Sequence, residues 1–106
     1  MFDDDHLAEL AKALAHPARL RILRLLLATP GCIGGEIVEA VGLAQSTVSE
    51  HLRILKAAGI IAGEIDGPRT CYWLAPAALG PLSEFVTIIK TAPEGRDCCA
   101  SAKDKT

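Results

Sequence analysis

Apolar residues recur along this chain with two different periods, and the change of period divides it. Over residues 3–15, Leu7, Leu10 and Leu14 share one stripe with Ala11 beside it, at the three- and four-residue spacing of an amphipathic helix. Asp3, Asp4 and Asp5 suit the positive end of that helix. His16-Pro17 breaks it. The residue before a proline is pushed out of helical geometry, and proline fits the first turn of a new helix. Residues 17–28 predict that helix. Leu20, Ile22, Leu23, Leu25, Leu26 and Leu27 make it apolar nearly all round, the pattern of a buried central helix. Thr29-Pro30-Gly31 stops it.

Residues 34–58, GGEIVEAVGLAQSTVSEHLRILKAAG, predict two short helices meeting at a tight corner. Ile37, Val38 and Val41 fall on one face of the first. Gly42 closes it, because glycine enters the left-handed conformation of a helix C-cap without steric cost. Leu43 is placed to plug the corner. The second helix starts near Gln45 or Ser46, with Glu50 placed to cap its first turn. Val48, Leu52 and Leu55 recur at i, i+4 and i+7 and face inward. Gln45, Ser46, Thr47 and Ser49 then crowd the exposed N-terminal end. Short hydrogen-bonding side chains at a positive helix end suit a DNA major groove. The same turn also suits any helical hairpin, because Ser, Thr and Gln cap helices everywhere.

The period then drops to two. IIAGEI at 60–65 and TCYWL at 70–74 alternate as strands, and Asp66-Gly67-Pro68 between them is turn chemistry, so a β-hairpin is expected. Tyr72 and Leu74 share one face, Cys71 and Trp73 the other. Arg69 stands near the tip, in reach of a phosphate or the minor groove if the preceding helix docks on DNA. Pro76 opens a last helix to about residue 91, with Leu79, Leu82, Phe85, Val86 and Ile89 in a wide stripe. Stripes on both terminal helices exceed what one small core needs, and the surplus reads as a dimer interface. The end, TAPEGRDCCASAKDKT, is polar with Pro and Gly and reads as a flexible tail.

Composition narrows the function. The chain has 106 residues, enough for one core. Half are hydrophobic but only 4% aromatic, so the core is Leu, Ile, Val and Ala. No apolar run approaches the ~18 residues of a membrane span, and no basic-then-apolar leader is present, so a cytoplasmic protein with no membrane partner is expected. The net charge of −2 argues against a nonspecific nucleic-acid binder. Arg19, Arg21, Arg24, Arg53, Lys56 and Arg69 in the middle still allow a local basic face. No Ser/His/Asp or paired-carboxylate arrangement suggests catalysis, so an enzyme is not expected.

ALAHPARLRILRLLL, GLAQSTVSEHLRILKAAGII and a hairpin ending in YWLAP resemble the ArsR/SmtB family of metal- and metalloid-responsive repressors, over about residues 7–90. The resemblance implies a mainly α fold with a small β-hairpin, a homodimeric winged helix-turn-helix. Residues 1–91 would be the DNA-binding and dimerisation domain and 92–106 a cysteine-containing tail. It implies a homodimer on double-stranded, inverted-repeat operator DNA, released when an effector binds. By position Gln45, Ser46, Thr47, Ser49 and His51 match the recognition helix, Arg53 follows on it, and Arg69 matches the wing. Ala44 stands where the family often has a capping serine, so the cap would pass to Ser46. Glu50 stands where a neutral or basic residue is common, and would read a cytosine or repel phosphate. Pro68 takes the usual basic wing position. For His51, a half-buried residue bonding to a neighbour is favoured over a base contact.

Four cysteines in a cytoplasmic protein point to thiols, ligands or sensors rather than structural disulfides. The family's cysteine trio before the turn is incomplete here. Cys32 is present, but Gly34 and Ile37 follow it. The family's Asp/His site on the last helix is missing too, since that helix offers only Glu84. Cys98-Cys99 in the tail remain, flanked by Arg96 and Asp97. Adjacent cysteines rarely bond to each other but readily give two thiolates to one soft centre, and arginine beside them favours thiolate. Trivalent arsenic or antimony takes three thiolates, or two when an organic group fills the third place. The third ligand is expected from Cys32 or Cys71, with Cys32 favoured. Cys71 is expected to be a small hydrophobe in its strand. The expected effector is As(III), Sb(III) or a soft metal ion, with no resident cofactor. The alternatives are a thiol or persulfide sensor joining Cys32 to Cys98 or Cys99, and a winged helix used only for protein contacts.

Overall fold

The computed structural model describes residues 3–29, 36–66 and 69–95, with the backbone alone at 65, 66 and 69. Five helices and one hairpin follow in the expected order. Helix α1, Asp4–Leu14, is capped by Asp3, whose carboxylate accepts from the Asp5 amide. Helix α2, Pro17–Ala28, begins with proline at its first turn and takes His16 as its cap. The His16 Nδ1 accepts from the Ala18 amide at 3.0 Å. Helices α3, Glu36–Val41, and α4, Gln45–Ala57, form the corner. Strands β1, Ile61–Asp66, and β2, Arg69–Leu74, pair antiparallel, from Ile61 opposite Leu74 to Asp66 opposite Arg69. The expected turn residues Gly67 and Pro68 lie outside the described residues. The last helix is split: a 3-10 turn over Pro76–Leu79 precedes α5, Gly80–Thr91.

Both helix ends around α3 and α4 depend on glycine. Gly42 has φ +78° and donates to the Val38 carbonyl, ending α3 in the left-handed cap that the sequence predicts. Gly59, at φ +82°, ends α4 through paired bonds. Its amide donates to Lys56 and that of Ile60 to Leu55, the two bonds of a Schellman cap. The chain therefore turns sharply into β1, and Ile60 and Ile61 bury themselves directly after the cap. Within the hairpin, Gly63 leaves room for the Tyr72 ring, which a Cβ there would meet at 2.9 Å.

One core gathers every described element. Leu10 and Ala13 from α1, Ile22 and Leu26 from α2, Ile37 and Val41 from α3, and Val48, Leu52 and Leu55 from α4 close on Ile60 and Ile61. Tyr72 and Leu74 pack onto it from β2, and Leu79 and Leu82 from the chain beyond. Two expectations change. Helix α2 is not buried all round. Its buried residues are Ala18, Arg19, Ile22 and Leu26, while Leu20 and Leu27 are exposed, Leu27 by 70%. The α1 stripe is not surplus either, because Leu7, Leu10 and Ala13 are buried within this one chain. The uncovered apolar surface lies instead on α5, where Phe85, Val86, Ile88 and Ile89 are exposed and no residue is buried.

Gly42 has open space where a Cβ would sit, so alanine there meets only the backbone penalty. Gly42→Ala should lower the unfolding free energy by about 1 kcal/mol, and Gly42→Asn by less, because asparagine tolerates the left-handed region. Chemical denaturation of both variants measures this, and equal loss in the two would show that φ is not the cause.

Candidate nucleic-acid interface

Helix α4 presents two faces with separate duties. Val48, Leu52 and Leu55 lock the inner face into the core. That anchoring turns Gln45, Ser46, Thr47, Ser49 and Arg53 outward, and all five are exposed. The N-terminal residue before the helix is Ala44, extended at φ −61° and ψ 149°, and no side chain caps the turn. Neither Ser46 nor Glu50 provides the cap expected of it. The open first turn combines exposed hydroxyls, a glutamine amide and the positive end of a 13-residue helix, a set that hydrogen-bonds base edges and phosphates alike.

Glu50 has a different partner. Arg53 grips it in a two-pronged pair along the helix, with Nε to Oε1 at 3.0 Å and Nη2 to Oε2. The Arg53 guanidinium holds the Glu50 carboxyl below the usual carboxylate range. Glu50 therefore neither caps the helix nor stands free as a lone charge on this surface. The pair is exposed and screened, so its meaning is for surface charge rather than stability.

One arginine departs from the expected basic face, because Arg19 is buried. Arg21 is exposed and donates to the last carbonyl of α3, Val41, at 3.5 Å. Arg24 and Lys56 are exposed. Arg69 stands in β2 opposite Asp66, and its side chain lies outside the described residues.

His51 points away from the open face. Its ring is 8% exposed, and its Nδ1 meets Arg19 Nη1 at 3.2 Å. It also packs against the His16 ring at 4.4 Å. Burial first, and the neighbouring His16 and Arg19 next, push its pKa below the ordinary histidine value. His51 thus departs from the set that could touch DNA. Arg19 and His16 were not singled out for any role together by sequence reasoning. The available signal was an arginine next to Ala18 and three short of Ile22, on the face of α2 that is otherwise apolar and buried.

The cysteines divide by location. Cys32, Cys98 and Cys99 lie outside the described residues. Cys71 is half-buried in β2 opposite Glu64, and it is disulfide-bonded. It is therefore not the inert strand hydrophobe that the sequence suggests. Among the described residues, no three side chains of His, Cys, Asp or Glu gather in a way that could hold a metal ion.

A family model described as bacterial regulatory protein, arsR family, matches residues 16–62, which run from the α2 cap to the start of the hairpin. A solution structure from Mycobacterium bovis, described as a homodimeric winged helix-turn-helix DNA-binding domain and a possible ArsR-family regulator, superimposes with a TM-score of 0.63. It is 33% identical, over 81% of this chain and 79% of that one. This chain belongs to the ArsR family of bacterial transcriptional regulators. Another structural neighbour, described as a possible transcriptional regulator for arsenical resistance, has a TM-score of 0.67 at 26% identity, covering 88% of this chain and 95% of that one. The regulator Rv0081 of Mycobacterium tuberculosis is 40% identical over 75 residues, 71% of this chain and 66% of that protein. The match thus spans just under two thirds of that relative's length. Among the described residues no helix is long and apolar enough to cross a membrane.

In this ArsR-family chain, Glu50→Gln should loosen Arg53 and remove a negative charge from the interface. Random duplex DNA should bind more tightly, with a log–log salt slope steeper by about one unit. Binding isotherms across a salt series check this, and a slope equal to wild type would place Arg53 away from the phosphates.

Proposed function

We propose that this protein is a transcriptional repressor that binds double-stranded operator DNA as a homodimer and leaves it when a soft thiophilic effector binds cysteine thiolates. The observation that carries DNA binding is the open, uncapped first turn of α4, held outward by a fully buried inner face. The exposed apolar residues of α5 supply a surface for a second copy, and a homodimeric relative of similar fold supports that assignment. Two copies related by a two-fold axis present their α4 helices to half-sites about one helical turn apart, roughly 34 Å. Gln45, Ser46, Thr47 and Ser49 read base edges and phosphates, while Arg53 and Arg69 meet the backbone.

The effector in this reading is trivalent arsenic, as arsenite or methylarsenite, or antimonite. Its support is the adjacent pair Cys98-Cys99 beside Arg96, together with likeness to a possible regulator for arsenical resistance. Cys32 and Cys71 are both third-ligand candidates. A sulfur that reaches bonding distance of another sulfur when oxidised is also placed to share a soft centre with one when reduced.

The disulfide at Cys71 favours a second reading, thiol oxidation as the signal. Two thiols and one peroxide then give one disulfide and two waters, with no metal involved. Titrating operator complexes with arsenite, methylarsenite, antimonite, cadmium and zinc, and separately with peroxide or persulfide, distinguishes the readings. A protein that binds no duplex would instead be a winged helix for protein contacts.

Replacing Cys98 and Cys99 with serine should leave operator binding intact and abolish release by trivalent arsenic. Release of the double variant at wild-type arsenite concentrations would remove the tail from the sensor. Arg69→Ala should weaken operator and random DNA alike and flatten the salt dependence, whereas Gln45→Ala should reduce the preference for operator. Altered sequence preference at an unchanged salt slope for Arg69→Ala would make the wing a reader of bases.

A further inference from the structure

The buried contact between Arg19 and His51 has no part in reading DNA, yet it joins the recognition helix to the helices behind it. Arg19 is 9% exposed and uses three nitrogens on three partners. Its Nε donates to the Ala13 carbonyl at 2.8 Å and its Nη2 to the Lys12 carbonyl at 3.2 Å, both at the C-terminal end of α1. Its Nη1 faces His51 Nδ1 at 3.2 Å. A guanidinium carries donors alone and keeps its proton at any ordinary pH. Arg19 is therefore the donor in that contact, and His51 Nδ1 must be a bare ring nitrogen. The imidazole is held neutral, with its proton on Nε2.

The surroundings offer His51 little help in becoming charged. From α2 it faces the Arg19 guanidinium and the His16 ring. His16 is itself committed as an acceptor, its Nδ1 taking the Ala18 amide. From its own helix the charged neighbour is Glu50, which favours the imidazolium but is exposed and already bonded to Arg53. The α1 groups at the junction, the Lys12 and Ala13 carbonyls, are bonded to Arg19. Lys12 and Glu9 of α1 line a neighbouring cleft with Arg19 and Arg53.

We propose that the Arg19–His51 contact is a proton-sensitive joint that holds α4 in its operator-binding orientation and stays closed only while His51 is neutral. A proton on Nδ1 removes the acceptor and sets a second cation 3.2 Å from the guanidinium. Arg19 keeps both α1 carbonyls, so the joint opens on the α4 side, next to the cleft through which water can enter. The sign follows from linkage. The folded pKa of His51 lies below the ordinary 6.5, so the unfolded chain takes up the proton first on acidification. The joint's contribution is complete above about pH 6.5 and is lost as pH falls toward the folded value. Operator affinity should be flat at neutral pH and then drop, by at most about tenfold per pH unit for one proton. Surface histidines have the opposite effect, because added positive charge tightens binding to a polyanion.

This rests on the operator-binding reading, and the test separates the two. Operator binding is measured from pH 8 to pH 5.5 for the full chain, His51→Asn and His16→Asn, with far-UV circular dichroism at each pH. Asparagine at 51 places a non-titrating acceptor near the position of Nδ1, and asparagine at 16 keeps the helix cap. The wild-type protein and His16→Asn should lose affinity at the acid end while remaining helical. His51→Asn should show a ratio of neutral to acid affinity within about twofold of one. His51→Ala, with no acceptor, should bind more weakly than His51→Asn at pH 7.5. An acid loss that persists in His51→Asn, or that disappears in His16→Asn alone, overturns the joint. Long-range nitrogen–proton spectra of the histidines give a readout without DNA. They should show His51 protonated at Nε2 with its titration below the ordinary histidine value, and a proton on Nδ1 at pH 7.5 overturns the proposal. If no duplex binds at any pH, the operator reading fails and the imidazole spectra alone decide the joint.

Discussion

Everything functional in this chain depends on the burial of one helix face. Val48, Leu52 and Leu55 lie on α4 at spacings of four and three residues, and each is removed from water by the same core. Burying such side chains stabilises a protein by about 1.5–3 kcal/mol each. Rotating α4 by even a third of a turn would return them to solvent and bury Ser46, Thr47 or Ser49 without partners. The polar turn is therefore displayed as a consequence of the core, and its direction is as rigid as the core is.

The ends of α4 are set by different devices. At its C-terminal end, Gly59 and the paired bonds to Lys56 and Leu55 stop the helix and launch β1 within two residues. At its N-terminal end nothing is capped by a side chain. A helix normally gains about 1 kcal/mol from a capping serine or aspartate. Leaving Ala44 there forgoes that gain and keeps the first-turn amides available for a phosphate, which is where an anion is best held by a helix. Local stability and binding capacity are in competition at this one position.

Among the described residues the buried polar side chains are Arg19 and His51, and they are bonded to each other. Arg19 spans three elements through the Lys12 and Ala13 carbonyls and the His51 ring. An unpaired buried guanidinium would be far too costly, so these bonds also specify which helices may be neighbours. Cys71, on β2, is disulfide-bonded and so carries a covalent constraint that responds to redox conditions. The hairpin carries a bonded sulfur, and α4 is joined to α2 through an imidazole.

The sequence by itself determined the order of elements, the glycine corner at Gly42, the inward residues of α4 and the outward Gln45, Ser46, Thr47 and Ser49. These follow from local periodicity and from backbone conformations that one residue type enters cheaply. Only the tertiary structure decided what depends on partners distant in the chain. Arg19 and His51 are 32 residues apart, and no local pattern pairs them. Leu20 and Leu27 lie on an apolar helix, but the number of neighbours available to cover it is a property of the packing, and they are left exposed. Glu50 carried two plausible local roles, and the competition was settled by the stronger charge-assisted bond to Arg53 one turn away. Burial is fixed by what else fits around a side chain, and a single sequence position does not contain that information.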